Sequence, residues 1–401
     1  MYTSFFRKAM LGDTATLNLD FTTGVLDSRL TFTRAAGTAT YINSSGYVTT
    51  AAANVARFDY DPATQAPRGL LLEGSATNLL NWSETFATTG GTNNNWAGTN
   101  LNRTSTNNTS PRNDATALRV TAINGVGNAT LISSAAMSTS ASRILSVWLR
   151  RVTGTGDIQY TLNNGTNWTT QVITSSWVRY SFPATTAAQR VGFRIVTDGD
   201  AIEIWGAQLE AGSGGASSYV VTVASQETRN ADVCYLTDFA GWSAGGNFST
   251  AEGTLFVDQA VTFVGTANYP MGGFGTSNTA GARFGWQYRQ GDAPQAYRGL
   301  VNAGYLYELP GGAGWSIPDG TTRFRHAMSC GGNTFLRQSF KSSASSGSPT
   351  QNTYSDVSTL NISGVAAFTL TQSTFASSVR IARVKYYPRA FTLAQLDELT
   401  T

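Results

Sequence analysis

Apolar and polar residues alternate with a period of two in most apolar segments of this 401-residue chain. Such alternation is typical of β-strands that bury one face. Clusters of Asn, Gly, Asp and Ser separate the segments and indicate turns. The predicted strands are 16–21, 30–34, 38–42, 47–50, 70–72, 117–122, 144–150, 158–162, 169–174, 178–182, 191–196, 201–209, 253–261, 283–289, 299–309, 322–330, 334–340 and 379–387.

Turn and cap signals mark the ends of several of these elements. Asn163-Asn-Gly165 and Asp198-Gly199 stand between predicted strands and indicate β-hairpins. The last strand ends at Pro388, and Thr392 then precedes Gln395 with the spacing of a capping box. A short helix is therefore predicted over residues 392–399.

The spacing of strands and linkers divides the chain into three regions. Residues 1–75 are predicted to be a small β-rich segment with too little apolar mass for its own core, so we expect it to pack on a neighbour or a partner. Residues 76–232 and 233–401 each hold enough short strands for one sandwich. The predicted fold class is all-β, with two antiparallel β-sandwich (jelly-roll) domains after the N-terminal segment.

Composition supports β structure and narrows the classes of function. Charged residues make up 13% of the chain, against an ordinary globular share of about 25%. The net charge of +3 gives no broad basic field and argues against nucleic-acid binding. Because the first ten residues lack the apolar core of a signal peptide and no apolar run of about 18 residues occurs, we expect synthesis in the cytoplasm and no membrane insertion.

Two glutamates near the end of the middle region raise the question of glycoside hydrolysis, which usually needs two carboxyl groups within about 10 Å. A straight strand rises about 3.3 Å per residue, so Glu203 and Glu210 are expected roughly 23 Å apart and on opposite faces. No catalytic residue is therefore assigned. Carboxylates brought together from different strands are the alternative.

Gly241-Trp-Ser-Ala-Gly245 has the spacing of a nucleophile elbow, and Asp258 or Asp292 followed by His326 completes the order of a hydrolase triad. The flanking residues do not supply the buried strand and the helix that an elbow requires. Period two instead places His326, the single histidine, on the apolar face of its strand with Phe324, Met328 and Cys330. A core histidine is predicted, and the chain is expected not to be an enzyme.

Metal and redox signals are weak. Cys234 and Cys330 lie far apart and match no metal or redox motif, so two buried free thiols are predicted, with a pairing between them left open. Asp198 and Asp200 flank a glycine and offer oxygens to calcium, although an Asp-Gly hairpin explains the same residues. No other cofactor or metal is predicted.

Tryptophans in polar stretches are the remaining candidates for function. Flat rings beside amides and hydroxyls suit sugars, because a pyranose presents apolar C–H groups on one face and hydroxyls at its rim. The alternative is that each ring pins its loop to the core. The candidate glycan-binding residues are Trp96, Trp168, Trp242 and Trp315.

The N-terminal region resembles the opening of a group of tailed-bacteriophage virion proteins of the tail-fibre, head-fibre or decoration type. The residues that carry this resemblance are 19–34, Phe58-Asp-Tyr-Asp-Pro62, Pro67-Arg-Gly-Leu-Leu-Leu-Glu73 and Thr77-Asn-Leu-Leu80. The middle region, through Asn163-Asn-Gly-Thr-Asn-Trp168, Trp177-Val-Arg-Tyr180 and residues 204–212, is similar to their carbohydrate-binding-module-like sandwich. Residues 379–396 are similar to the closing strand and helix of concanavalin A-like, laminin-G-like jelly rolls.

The resemblance implies a structural protein on the virion surface, whose partners are other virion proteins of the capsid, portal or tail and host-surface glycans. Two alternatives stay open: a capsid or tail decoration protein without sugar binding, and a polysaccharide depolymerase. A homo-oligomer is expected, with a trimer as one form, although no heptad run provides a coiled-coil stem.

Overall fold

The computed structural model describes residues 14–401 except for 36, 38, 87–95, 106–108, 124–127, 134–141, 185–189, 213–214, 264–268, 278–281, 290–295, 302–304, 309–321, 332–334, 343–348, 356–361, 363 and 372–377. The first strands are β1 Leu17–Asp20, β2 Leu30–Thr33, β3 Ala39–Ile42, β4 Val48–Ala51, β5 Arg57–Tyr60, β6 Pro67–Glu73 and β7 Ala76–Asn78. The next strands are β8 Trp96–Thr99, β9 Leu101–Thr104, β10 Leu118–Ala122, β11 Ala129–Ser133, β12 Arg143–Thr153, β13 Ile158–Thr161, β14 Thr169–Thr170, β15 Val178–Ala184, β16 Gly192–Ile195 and β17 Ala201–Ala211.

The remaining strands follow residue 226. They are β18 Glu227–Arg229, β19 Val233–Leu236, β20 Glu252–Phe263, β21 Tyr269–Gly275, β22 Ala282–Arg289, β23 Ala296–Val301, β24 Tyr305–Glu308, β25 Phe324–Gly331, β26 Phe335–Ser342, β27 Thr350–Ser355, β28 Ala367–Thr369 and β29 Ser378–Tyr387. The helices are α1 Phe239–Trp242 and α2 Leu393–Thr400. Thr392 and Gln395 form both hydrogen bonds of the predicted capping box at the start of α2.

The chain folds into two compact units, each made of segments that are not contiguous in sequence. Unit 1 comprises Met1–Ala35, Ala53–Ser75 and Ala231–Thr401, and unit 2 comprises Ala36–Ala52 and Ala76–Asn230. The assigned strand pairs are antiparallel, and the predicted all-β class with sandwich-like sheets is confirmed.

Unit 1 contains two large sheets. Within the described residues, one has the order β27-β26-β25-β20-β29-β6-β5 with β1 also paired to β29, and the other has the order β2-β19-β28-β21-β22-β23-β24. Side chains of both sheets form one buried cluster that includes Val257, Met328 and Phe274. Helix α2 packs against the first sheet through Leu396, which lies in a smaller cluster with Phe256.

Unit 2 also has two principal sheets. Their orders are β15-β12-β17-β10-β9 and β14-β13-β16-β11-β8, and alternate side chains of both meet in one core that includes Leu145, Ile204, Leu131 and Phe193. Two short pairs, β3-β4 and β7-β18, complete the part of this unit that the structure describes.

Residues 1–75 do not form a region of their own, which differs from the predicted three-part division. Strands β1 and β6 pair with the C-terminal strand β29, and β2 pairs with β19. The β3-β4 hairpin belongs to unit 2 instead. Because these short strands lack a core, they complete sheets whose other strands come from distant sequence.

A buried ion cluster lies in unit 1, next to the places where the chain passes to and from unit 2. It consists of Arg34, Arg57, Glu73 and Asp232, whose side chains are at most 1% exposed. Arg57 Nη1 lies 2.7 Å from Glu73 Oε2, and its Nη2 lies 2.5 Å from Asp232 Oδ2. Arg34 Nη1 lies 3.1 Å from Asp232 Oδ1.

One backbone N–H and one side-chain hydroxyl complete this buried ion cluster. Asp232 accepts a hydrogen bond from the Glu73 N–H, and Ser378 donates to Glu73 Oε1. Burial by itself would lower the pKa of Arg57, but the two carboxylates outweigh that effect and raise it above its ordinary value. The cluster therefore holds its charges in a dry interior by mutual pairing.

The prediction that unit 1 holds two buried free thiols is confirmed. Cys234 and Cys330 are buried free thiols, and burial raises the pKa of Cys330 to about 12. Within the described residues, no helix is long and apolar enough to span a membrane.

The buried ion cluster predicts a large stability loss on substitution of Arg57. Arg57→Met leaves two buried carboxylates without their shared cation, so we expect the free energy of unfolding to fall by about 3–5 kcal/mol. Urea unfolding of the purified protein measures this change.

Arg68→Met is the matched control, because Arg68 pairs with Asp61 at the surface, with side-chain exposures of 23% and 28%. Arg68→Met is expected to lower the free energy of unfolding by less than about 1 kcal/mol. Equal stability of the two variants would show that the cluster contributes no more than a surface pair.

Candidate functional site

A row of polar side chains crosses the outer face of the unit 2 sheet β14-β13-β16-β11-β8. Its members are in register from strand to strand: Thr170, Gln159, Arg194, Thr130 and Thr99. Residues that alternate with them, such as Phe193 and Leu131, point into the core. At a strand spacing of about 4.8 Å the row is about 19 Å long.

Trp168 lies over this row, and the hairpin between β13 and β14 sets its position. Asn164 and Gly165 both have left-handed backbone angles, φ 59° and 78°, as the predicted Asn-Gly turn requires. Asn163 Oδ1 accepts a hydrogen bond from the Asn167 N–H at 2.9 Å. A Cβ at Gly165 would lie 3.3 Å from the Trp168 ring, so the ring lies close to the turn.

Arg194 connects Trp168 to the polar row. Its guanidinium carbon is 4.6 Å from the centre of the Trp168 ring. The Arg194 Nε donates to Gln159 Oε1 at 2.7 Å, and Nη2 donates to the same oxygen. Gln159 Nε2 donates to Thr170 Oγ1 at 3.2 Å. We call this group of Thr99, Thr130, Gln159, Trp168, Thr170 and Arg194 the Trp168 face.

The Trp168 face is accessible and held in shape before any ligand arrives. Thr99 and Thr170 are exposed, and Thr130, Gln159, Trp168 and Arg194 are partly exposed. The Arg194 guanidinium covers one side of the ring, and the partly exposed ring lies beside the hydroxyl and amide groups of the polar row. Such a combination can hold a flat ligand that has one apolar side and a polar rim.

Two of the other predicted tryptophans, Trp96 and Trp242, do not join this face. Trp96 is 2% exposed and points from β8 into the unit 2 core, where it packs against Phe86 and Phe193. The prediction that Trp96 offers its ring to a sugar is therefore wrong, because the polar loop around it in sequence does not keep the ring out of the core. Trp242 lies in unit 1, partly buried against Phe274 and Tyr386. Trp315 lies outside the described residues.

Glu203 is fully buried and bound by two arginines on the outer face of the other unit 2 sheet. Arg119 Nη2 lies 2.8 Å from Glu203 Oε1, and Arg150 Nε donates to Oε2. Arg150 also stacks on Trp177, with 4.9 Å from its guanidinium carbon to the ring centre. Both carboxylate oxygens are thus occupied, which gives Glu203 a structural role.

The expected alternation along β17 breaks at Gly206. This residue has φ 63°, and the register with β12 shifts between Trp148 and Ser146. The resulting bulge returns Ala207 and Leu209 to the core side with Ile204. The prediction that Glu203 and Glu210 point to opposite faces is wrong for this reason, because the bulge places both on the outer face.

Glu210 belongs to a buried hydrogen-bond network on that outer face. It accepts bonds from the Ser217 N–H at 3.0 Å and from Gln208 Nε2 at 2.7 Å. Burial raises the pKa of the Glu210 carboxyl, and these hydrogen bonds oppose part of the rise. Trp205, Trp148 and Tyr219 form a buried cluster on the same face, so it is covered by the chain itself.

The hydrolase-triad arrangement is absent from the described residues. Ser243 follows the short helix α1 instead of standing between a buried strand and a helix. Asp258 is paired with Arg323 and Arg325, and Asp292 lies outside the described residues. His326 is 2% exposed in β25, in the core as predicted.

The calcium candidates form a turn. Gly199 has φ 78°, and the Asp200 N–H donates to the Thr197 oxygen at 3.2 Å. Asp198 is exposed, whereas Asp200 is buried, pairs with Arg151 at 3.2 Å and accepts from the Gly156 N–H at 2.7 Å. Across the described ranges no three acidic, His or Cys side chains gather in a group that could hold a metal ion.

Comparisons with known proteins give partial matches. No protein-family model matches the chain, and no curated protein matches it. A Trypanosoma rangeli sialidase in complex with the inhibitor DANA is 11% identical, with a TM-score of 0.28 over 47% of this chain and 27% of that one. The binding domain of Paraclostridial Mosquitocidal Protein 1 is 10% identical, with a TM-score of 0.27 over 37% of this chain and 36% of that one. The chain thus spans about a third or less of the length of these structures.

Sequence reasoning singled out Trp168 but not its partners. The alternation in Ile158-Gln-Tyr-Thr161 and Gly192-Phe-Arg-Ile195 marks Gln159 and Arg194 as outward-facing. It does not show that the two residues are opposite each other, because the register between distant strands is set by tertiary contacts.

The burial of His326 predicts a pH dependence of stability. Its Nε2 lies 3.0 Å from Gln338 Oε1, while its Nδ1 is buried without a partner among the described residues. Burial lowers the pKa of His326 from 6.5 to about 4. The unfolded chain therefore binds the proton first, and the free energy of unfolding should fall by about 3 kcal/mol as pH drops from 6.5 to 4.

Denaturant unfolding at several pH values, compared between the wild type and His326→Gln, measures this effect. Burial raises the pKa of Glu84 and of Glu210. These two shifts increase the free energy of unfolding as pH falls, but they do so equally in the wild type and in His326→Gln. The free energy of unfolding of the wild type minus that of His326→Gln should therefore fall as pH drops from 6.5 to 4. A constant difference would mean that His326 does not titrate between these limits.

Proposed function

We propose that this chain is a structural protein of a tailed-bacteriophage virion, a fibre, spike or decoration component, that binds host-surface glycans through the Trp168 face. The observation that carries the glycan part is the polar row in register across five strands, with Trp168 stacked on its central arginine. The resemblance of residues 19–34 and 204–212 to virion proteins supports the phage part.

The chemistry of the Trp168 face suits a carbohydrate. One pyranose can lie against the tryptophan ring while Gln159, Thr170 and Thr130 exchange hydrogen bonds with its hydroxyls. Gln159 and Arg194 hold each other in place, which lowers the ordering cost of binding. Within this proposal the other three candidate tryptophans take no part.

Binding without hydrolysis is part of the proposal. Three carboxylates of unit 2 each form an ion pair with an arginine, which neutralises their charges within the fold: Glu203, Asp200 and Glu84. The proposed site is on the virion surface, with other virion proteins as neighbours and a homo-oligomer as the assembled form.

Substitution of Trp168 tests the glycan part. On a glycan array, with titration of the best ligands by calorimetry, we expect Trp168→Ala to weaken binding at least about tenfold, because the stacking surface is lost. Trp177→Ala is the control, since Trp177 is also partly exposed and stacked by an arginine, but lies on the other sheet. The proposal fails if no glycan binds, or if Trp168→Ala binds as well as the wild type.

The two alternatives have separate readouts. A reducing-end assay on host capsule or lipopolysaccharide is expected to detect no release, and release would favour a depolymerase. A virion map that seats the Trp168 face against another virion protein would favour decoration without sugar binding.

A further inference from the structure

The Trp168 face carries the positive charge of Arg194, which pairs with no carboxylate of the described residues. Arg112, Arg119, Arg150 and Arg151 each pair with a carboxylate of unit 2. Arg194 forms no such pair among the described residues, and its fixed acceptor is the neutral amide oxygen of Gln159. The undescribed residues of unit 2 include no Asp or Glu, so no carboxylate there could serve it.

The geometry leaves part of the Arg194 guanidinium available. A guanidinium has five N–H donors, and two of them point to Gln159 Oε1. Of the three that remain, one on Nη1 and one on Nη2 point along the end of the guanidinium, which can bind a carboxylate as a bidentate pair. Asp157 lies at the Thr170 end of the polar row, where its carboxylate accepts a hydrogen bond from Thr170 Oγ1 at 3.4 Å.

We propose that the Trp168 face selects acidic glycans, with a sugar carboxylate on Arg194 and the apolar side of a pyranose on Trp168. This inference rests on the proposed function and adds the class of ligand. The stacking with Trp168 and the two bonds to Gln159 fix the guanidinium plane, so the carboxylate meets a preorganised donor pair. Asp157 would repel a second carboxylate at the Thr170 end, which orients the sugar chain along the row.

The test uses one carboxylated glycan in two forms. The carboxylated array ligand that binds best is compared with its methyl ester, which keeps the ring and the hydroxyls but loses the charge. We expect the wild type to bind the acid about 10- to 100-fold more tightly than the ester. The preference for the acid should weaken as the salt concentration rises.

Variants of the arginine separate charge from shape. Arg194→Met should weaken binding of the acid by about 10- to 100-fold more than it weakens binding of the ester, so that the preference for the acid is lost. Arg190→Met is the control, because it removes the same charge just before β16 but outside the polar row. It should change neither affinity by more than about threefold.

The outcomes distinguish the two proposals. If glycans bind in a Trp168-dependent manner but neutral ones bind as tightly as acids, or Arg194→Met has no effect, the acidic-ligand inference is wrong and the glycan-binding proposal stands. If no glycan binds, or if binding does not depend on Trp168, the proposed function fails and the inference fails with it.

Discussion

The organisation of this protein depends on the buried ion cluster of Arg34, Arg57, Glu73 and Asp232. The chain crosses between its two units near residues 35, 52, 75 and 230, and each crossing lies within a few residues of a member of this cluster. Buried charges are tolerated only when they are paired. The pairing therefore holds these separate stretches of chain together inside unit 1.

The two sheets of unit 2 use their outer faces in opposite ways. One face is covered by residues of its own unit, and its polar groups, among them Glu203 and Gln208, form a buried network. The other face is open, and its polar groups remain accessible around Trp168. Polar residues on the strands are thus buried in one sheet and accessible in the other, and the difference lies in what covers them.

Much of the fold could be predicted because its signals are local. The strands of both sandwiches, the Asn164-Gly165 turn, the Thr392 cap and the core position of His326 each follow from a few neighbouring residues. The failures have a common cause. Trp96, the bulge at Gly206 and the placement of residues 1–75 depend on partners far away in sequence.

The sequence by itself determined the all-β class, the principal strand positions and the turn that precedes Trp168, because alternation and turn propensity act over a few residues. Only the tertiary structure decided which strands pair, and hence that Arg194 lies beside Gln159 beneath that ring. Strand register comes from packing and hydrogen bonding between segments that are distant in sequence. The same reason explains why the sequence did not reveal that two arginines hold Glu203 in the fold.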